Sequence, residues 1–139
     1  MITAVLDANV LASGFVRANP AAAPVQVLDA WQAGAYALVL SEHILTELAH
    51  TFEDPYFRRR LSRQQMEADF TLLREEATVI ALTVPVQGVA THPEDDLVLA
   101  TAVSGPAEYL ITGDRQLQRL GSYEGVVILS PRAFLDRLR

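Results

Sequence analysis

Four acids spread along the chain could share one chemistry: Asp7, Glu47, Asp95 and Asp114. Asp7 closes the apolar run Ile2-Thr3-Ala4-Val5-Leu6, and Asp114 follows Glu108-Tyr109-Leu110-Ile111-Thr112-Gly113. Glu47 lies in the segment that follows Ala37-Leu38-Val39-Leu40, and Asp95 heads an apolar stretch beginning at Leu97. Taken singly, each has an ordinary explanation, the aspartates as helix N-caps and the glutamate as a solvated helix residue. Brought to one rim of a buried sheet, however, four carboxylates repel one another, and no Lys exists to pair with them, all 11 basic residues being Arg. Arg17 and Arg115 could help, but neither has a spacing that forces it into the cluster. Divalent cations are the economical compensation. Oxygen-only ligation suits one or two Mg²⁺ or Mn²⁺ ions, and such a site activates water and stabilises the charge that builds on a phosphodiester. Metal-dependent phosphodiester hydrolysis is the expected chemistry.

The elements that must position these acids follow from hydrophobic periodicity. Short apolar runs predict strands at 2–6, 37–40, 78–82, 108–112 and 126–129. Between them, the first helix follows Asp7 and is expected to break near Gly14. Val27, Leu28 and Trp31 mark a second helix, and Ile44, Leu45, Leu48 and Phe52 mark a third, capped by Ser41 and ended by Pro55. Ser62 and Gln65 form a capping box, and Ser130-Pro131 opens the last helix. Strands alternating with helices imply a single α/β domain, residues 1–139, a three-layer α/β/α arrangement around a parallel sheet of about five strands. In such sheets ligands bind beyond the carboxyl ends of the strands, where Asp7, Glu47 and Asp114 would all lie.

Composition narrows the classes further. The chain has 139 residues, half of them hydrophobic, which suffices for one core. It has no Cys, which excludes thiolate metal sites and Cys nucleophiles, and the absence of Lys excludes a catalytic lysine amine. No apolar run approaches a membrane span and no signal-peptide pattern opens the chain, so no membrane association and a cytoplasmic location are expected. The net charge of −6 argues against a strongly electropositive nucleic-acid binder, unless the acids are concentrated at one spot and neutralised by metal.

With these residues assembled, the chain resembles the PIN-domain ribonucleases, and more narrowly the toxin components (VapC-like) of bacterial type II toxin–antitoxin systems. The carriers are Asp7-Ala8-Asn9 after the opening strand, Ser41 through Glu47, Pro93-Glu94-Asp95-Asp96 with the Leu97 to Ala102 run, and Ile111-Thr112-Gly113-Asp114 followed by Leu117. The resemblance implies that Asp7, Glu47, Asp95 and Asp114 are the catalytic, metal-binding acids, with Asp95 preferred to Asp96. His92 departs from the acid that many relatives carry there. The implied substrate is RNA, the implied protein partner a small antitoxin, and a homodimer is typical. The helices at 25–31 and 41–52 offer apolar stripes for such contacts, or simply core.

Other residues keep two readings. Asn9 could orient a metal-bound water or cap its helix, and Thr112 could bond a carboxylate or fill a strand end. Arg58, Arg59 and Arg60, with Arg63, could grip an RNA backbone or pair with Glu67 or Asp69. His43, Glu47 and His50 share a helix face, but both histidines are expected to be surface residues. A haloacid-dehalogenase-type phosphatase or a receiver domain would look to a Lys that the chain lacks. The stronger rival is a catalytically weak PIN-like module that binds RNA or protein.

Overall fold

A computed structural model describes all residues, 1–139. The chain runs β1 (Thr3–Leu6), α1 (Ala8–Val16), α2 (Ala23–Gln32), β2 (Ala37–Leu40), α3 (Glu42–Phe52), α4 (Pro55–Arg58), α5 (Arg63–Glu76) and β3 (Thr78–Val79). It continues through α6 (Pro93–Ser104), β4 (Tyr109–Ile111), α7 (Arg115–Leu120), β5 (Ser122–Tyr123), β6 (Val126–Leu129) and α8 (Pro131–Leu138). The strands form one sheet in the order β3-β2-β1-β4-β6-β5. Ala4, Val5 and Leu6 of β1 are all fully buried. Successive strand residues face opposite sides, so this continuous burial means that both faces of the sheet are covered.

The sheet has six strands rather than about five. The sixth, β5, pairs antiparallel with β6 through Ser122↔Val127 and Tyr123↔Val126. Its turn is Glu124-Gly125, both with positive φ, the twist a two-residue hairpin needs. A glutamate in that conformation is uncommon, so the turn is faint in the sequence. The third strand is shorter than the predicted 78–82, because only Thr78 and Val79 pair with β2. The other strands, the Ser62–Gln65 capping box and the Ser130 and Ser41 caps lie where periodicity places them. Pro55 does not merely end α3 but begins α4, with Asp54 as its cap.

Gly14 corrects a further expectation. Helix α1 runs through it, and the glycine is there because α2 crosses against it. A Cβ at this position would lie 2.5 Å from Leu28 Cδ1 and 2.9 Å from the Pro24 carbonyl oxygen. Gly14→Ala is therefore expected to cost about 1–3 kcal/mol by overpacking, despite the better helix propensity of Ala. Urea unfolding would show this as a lower midpoint at unchanged slope.

The apolar stripes of α2 and α3 are core. Val25, Val27, Leu28 and Trp31, and likewise Ile44, Leu45, Leu48 and Phe52, are buried within the single chain. Asp69 of α5 is an exception to good burial. Its Oδ2 is buried without a hydrogen-bond partner, and desolvation pushes its carboxyl up to about 7. The folded state thus holds this proton up to about pH 7, whereas an unfolded aspartate releases it near pH 4. The associated stability is fully present below the unfolded value and lost as pH rises through the folded one. Asp69→Asn is expected to raise stability at pH 8 by about 1–2 kcal/mol, after allowing for water around a half-buried group, and to change little at pH 4. Thermal melts at the two pH values check this.

Candidate active site

Register decides which side chains meet. β1 pairs with β2 through Val5↔Val39 and with β4 through Leu6↔Ile111. The residues that follow, Ser41, Asp7 and Thr112, therefore form a row at the carboxyl edge of the sheet. β1 connects outward to β2 on one side, while β4 leads to β6 on the other, so the switch point falls between β1 and β4. Asp7 and Thr112 occupy it.

Asp7 is 8% exposed, and each of its carboxylate oxygens accepts one hydrogen bond. Its Oδ1 accepts the Ala8 N–H at 2.8 Å, and its Oδ2 accepts the Thr112 hydroxyl at 2.9 Å. Thr112 Oγ1 in turn accepts the Asp114 N–H at 3.0 Å, so one hydroxyl links the two acids across the switch point. Thr112 has no exposed surface, and of its two readings the structure shows the bond to a carboxylate. Burial pushes the Asp7 carboxyl up; the bonds from Thr112 and Ala8 oppose this, and the Asp114 charge adds to it. Because Asp7 caps α1, Asn9 does not, and its side chain stands exposed in the first turn.

Asp114 caps α7, accepting from Gln116 N at 2.8 Å and Leu117 N at 3.3 Å through Oδ1 alone. Glu47 is half-buried on α3, with burial raising its carboxyl; His43 lowers it, and Asp7 and Asp95 raise it further. Asp95, at the first turn of α6, is likewise raised by burial and by Asp7 and Asp114. Asp7, Asp95 and Asp114 thus each raise at least one other of the four, Glu47 is raised by two of them, and together the four form one electrostatic neighbourhood. The protein offsets this only modestly, through His43 on Asp7 and Glu47 and His92 on Asp95. Arg17 gives no help, being paired with Asp29 at 2.8 Å.

Two residues near the acids have roles that spacing alone did not reveal. His43 is not a plain surface residue: its Nε2 lies 3.0 Å from Glu47 Oε1 and 3.0 Å from the Glu94 carbonyl oxygen, tying α3 to the start of α6. Its i, i+4 relation to Glu47 was the available signal. Asp96 is buried and accepts the N–H groups of Gly88, Val89 and Ala90 at 3.0, 3.2 and 2.7 Å. Both of its oxygens are committed to that loop, whereas Asp95 and, beside it, Glu94 are the α6 acids whose charges raise Glu47.

No three His, Cys, Asp or Glu side chains close tightly enough to form a ready-made ion site. The donor set nevertheless fits a hard cation: carboxylate oxygens, three of them held above their usual ionisation range by burial and mutual repulsion. Arg58, Arg59 and Arg60 lie apart, at α4 and the turn after it, and all are exposed. The Arg60 guanidinium stacks on the Tyr56 ring at 3.8 Å, while Arg58 and Arg63 border a groove of about 1010 Å³ floored by Phe52, Leu61, Met66 and Phe70.

Comparison with known proteins agrees with this architecture. The fold is similar to that of a solved structure, VapBC2 from Rickettsia felis bound to a DNA fragment from their promoter. The TM-score is 0.62 at 13% identity, covering 91% of this chain and 97% of the other. No curated protein matches the sequence. The PIN domain family model matches residues 3–116, a span that begins with the strand carrying Asp7 and ends just beyond Asp114. That match covers most of the chain, and the protein belongs to the PIN-domain family.

Proposed function

We propose that this PIN domain is a metal-dependent endoribonuclease and the toxin of a type II toxin–antitoxin pair. The supporting observation is the set of four mutually repelling carboxylates at the sheet's switch point, with neither Lys nor Arg paired to them. Asp7, Glu47, Asp95 and Asp114 would hold one or two Mg²⁺ or Mn²⁺ ions. When bound, such ions supply a Lewis acid and an activated water for hydrolysis of a phosphodiester.

The chain's own contribution is placement. Thr112 and the Ala8 N–H fix the Asp7 carboxylate, and the Asp114 backbone is tied to the same hydroxyl. His43 orients Glu47 toward α6. Asn9, exposed beside Asp7, is available to a water or a substrate phosphate. Arg58, Arg59 and Arg60 would contact the RNA backbone, with the Arg60–Tyr56 stack a platform for an unpaired base.

The partner proposed is a small antitoxin, a reading supported by the VapBC2 likeness, and the protein would act as a cytoplasmic homodimer. No helix is long and apolar enough to cross a membrane. The open spacing of the acids favours a second reading, a PIN module that binds RNA or protein with little catalysis. End-labelled structured and unstructured RNAs, incubated with Mg²⁺, Mn²⁺ or chelator, separate the two. Cutting that requires metal and is lost in Asp114→Asn is the expected result; no cutting by folded, metal-binding protein would favour the binding module.

A further inference from the structure

Strands β4 and β6 form a parallel ladder that stops one rung early. The Val127 N–H donates to the Glu108 carbonyl, and the Thr112 N–H donates to the Leu129 carbonyl, at 3.0 Å each. The same register brings residue 131 level with the Thr112 carbonyl, where the next rung would form. That residue is Pro131, the first of α8, which has no N–H to give. A carbonyl without a donor, in a residue with no exposed surface, would cost free energy. The donor comes instead from α7, where Gln118 Nε2 lies 2.7 Å from the Thr112 carbonyl oxygen. Every polar atom of Thr112 is then engaged. Its N–H goes to Leu129, its carbonyl accepts from Gln118, and its hydroxyl donates to Asp7 and accepts from Asp114 N. Of these four partners, only Gln118 contributes a side chain from outside the acids.

We propose that Gln118 is a positioning residue for the acid pair Asp7 and Asp114, acting through Thr112. What it does for a bound cation rests on the nuclease reading. Gly113, next after Thr112, is exposed, and a Cβ there would meet nothing within 4 Å, so no side chain or packing at 113 restrains the turn. The bond from Gln118 fixes the Thr112–Gly113 peptide by its carbonyl. Without that bond the carbonyl turns to find water, and the chain between Thr112 and Asp114 turns with it. The Asp114 N–H then loosens from the Thr112 hydroxyl, and the link between the two acids weakens. Gln118 is well placed for this, because its own N–H donates to the Asp114 carbonyl at 3.0 Å. The helix that begins at one acid thus reaches back to the residue that holds the other.

The test uses Gln118→Met, which keeps an unbranched side chain and removes the donor. In chelator, amide hydrogen exchange at Asp114 is expected to speed up about tenfold, the effect of a lost hydrogen bond, while Val127 in the same sheet keeps its rate. With Mn²⁺ alone, followed by the paramagnetic resonance of the free ion, the variant should bind about tenfold more weakly, as when a group that orients metal ligands is removed. On RNA at fixed Mn²⁺, kcat should fall while KM for RNA stays unchanged, since Gln118 acts on the acids and not on the RNA. Unchanged exchange at Asp114 would overturn the proposal. So would equal acceleration at Asp114 and Val127, which would make Gln118 a contributor to global stability only, or native Mn²⁺ affinity in the variant. Local acceleration and weaker Mn²⁺ binding in a protein that cuts no RNA would uphold the positioning role while overturning the nuclease.

Discussion

Asp7→Asn is expected to lower metal-dependent RNA cleavage by about 10³-fold or more while leaving the protein folded. The activity loss follows from position. Asp7 sits at the switch point, and the Thr112 hydroxyl links it to Asp114, so in the proposed nuclease it is the central acid of the cation site. Stability should change little, for two opposing reasons. The two bonds go to different carboxylate oxygens, and Asn replaces one of these with an NH2 group, so one bond is lost or must reverse its direction, at about 1 kcal/mol. Against this, a carboxylate raised by burial and by its neighbour Asp114 is no longer forced to ionise. The melting temperature without metal should therefore stay within a few degrees. Adding Mn²⁺ should raise it for the native chain, because an ion that binds only the folded state stabilises that state, and should raise it less for the variant. Full cleavage by a clean Asp7→Asn preparation would remove the assignment.

Asp96→Ala should instead unfold the protein more readily, by about 3 kcal/mol, or roughly 10 °C in melting temperature. The carboxylate is buried and accepts three N–H groups, and its removal leaves Gly88, Val89 and Ala90 without their partner. Part of the loss is recovered by water at the loop surface, which keeps the figure below the sum of three charge-assisted bonds. Asp96→Asn retains one accepting oxygen and should cost less. The neighbouring substitution, Asp95→Ala, is expected to leave stability unchanged or higher, since burial and three like charges, Asp7, Asp114 and Glu94, already disfavour the ionised Asp95. Adjacent acids thus respond oppositely. Urea unfolding of the three variants checks this, and a larger loss in Asp95→Ala than in Asp96→Ala would reverse the roles given to the pair.

Much of this arrangement was legible locally. A strand that ends in Asp7 is visible because its apolar run stops there, and Asp114 and Ser41 follow strands in the same way. The Ser62–Gln65 capping box needs only residues three apart, so its sequence signature and its geometry coincide. Features that depend on a second element were harder to read. Gly14 resembles a helix breaker until α2 is brought against it, and the apolar stripes of α2 and α3 look available until α1 packs against both and α8 against α2. The choice between Asp95 and Asp96 is of the same kind. Neighbours on a helix point about 100° apart, and only the path of the loop at 88–90 decides which one it occupies.

The sequence by itself determined the α/β class, the strand ends that carry Asp7 and Asp114, and an excess of acids with no lysine to answer it. These follow from hydrophobic period, capping chemistry and composition, all of which act over a few residues or over none. The tertiary structure alone decided that Thr112 joins Asp7 to Asp114, that His43 is held between Glu47 and Glu94, and that Asp96 belongs to the loop. Those contacts join residues far apart in the chain or depend on how two helices approach. Strand register and helix packing set them, through the total burial of the sheet rather than through any local signal.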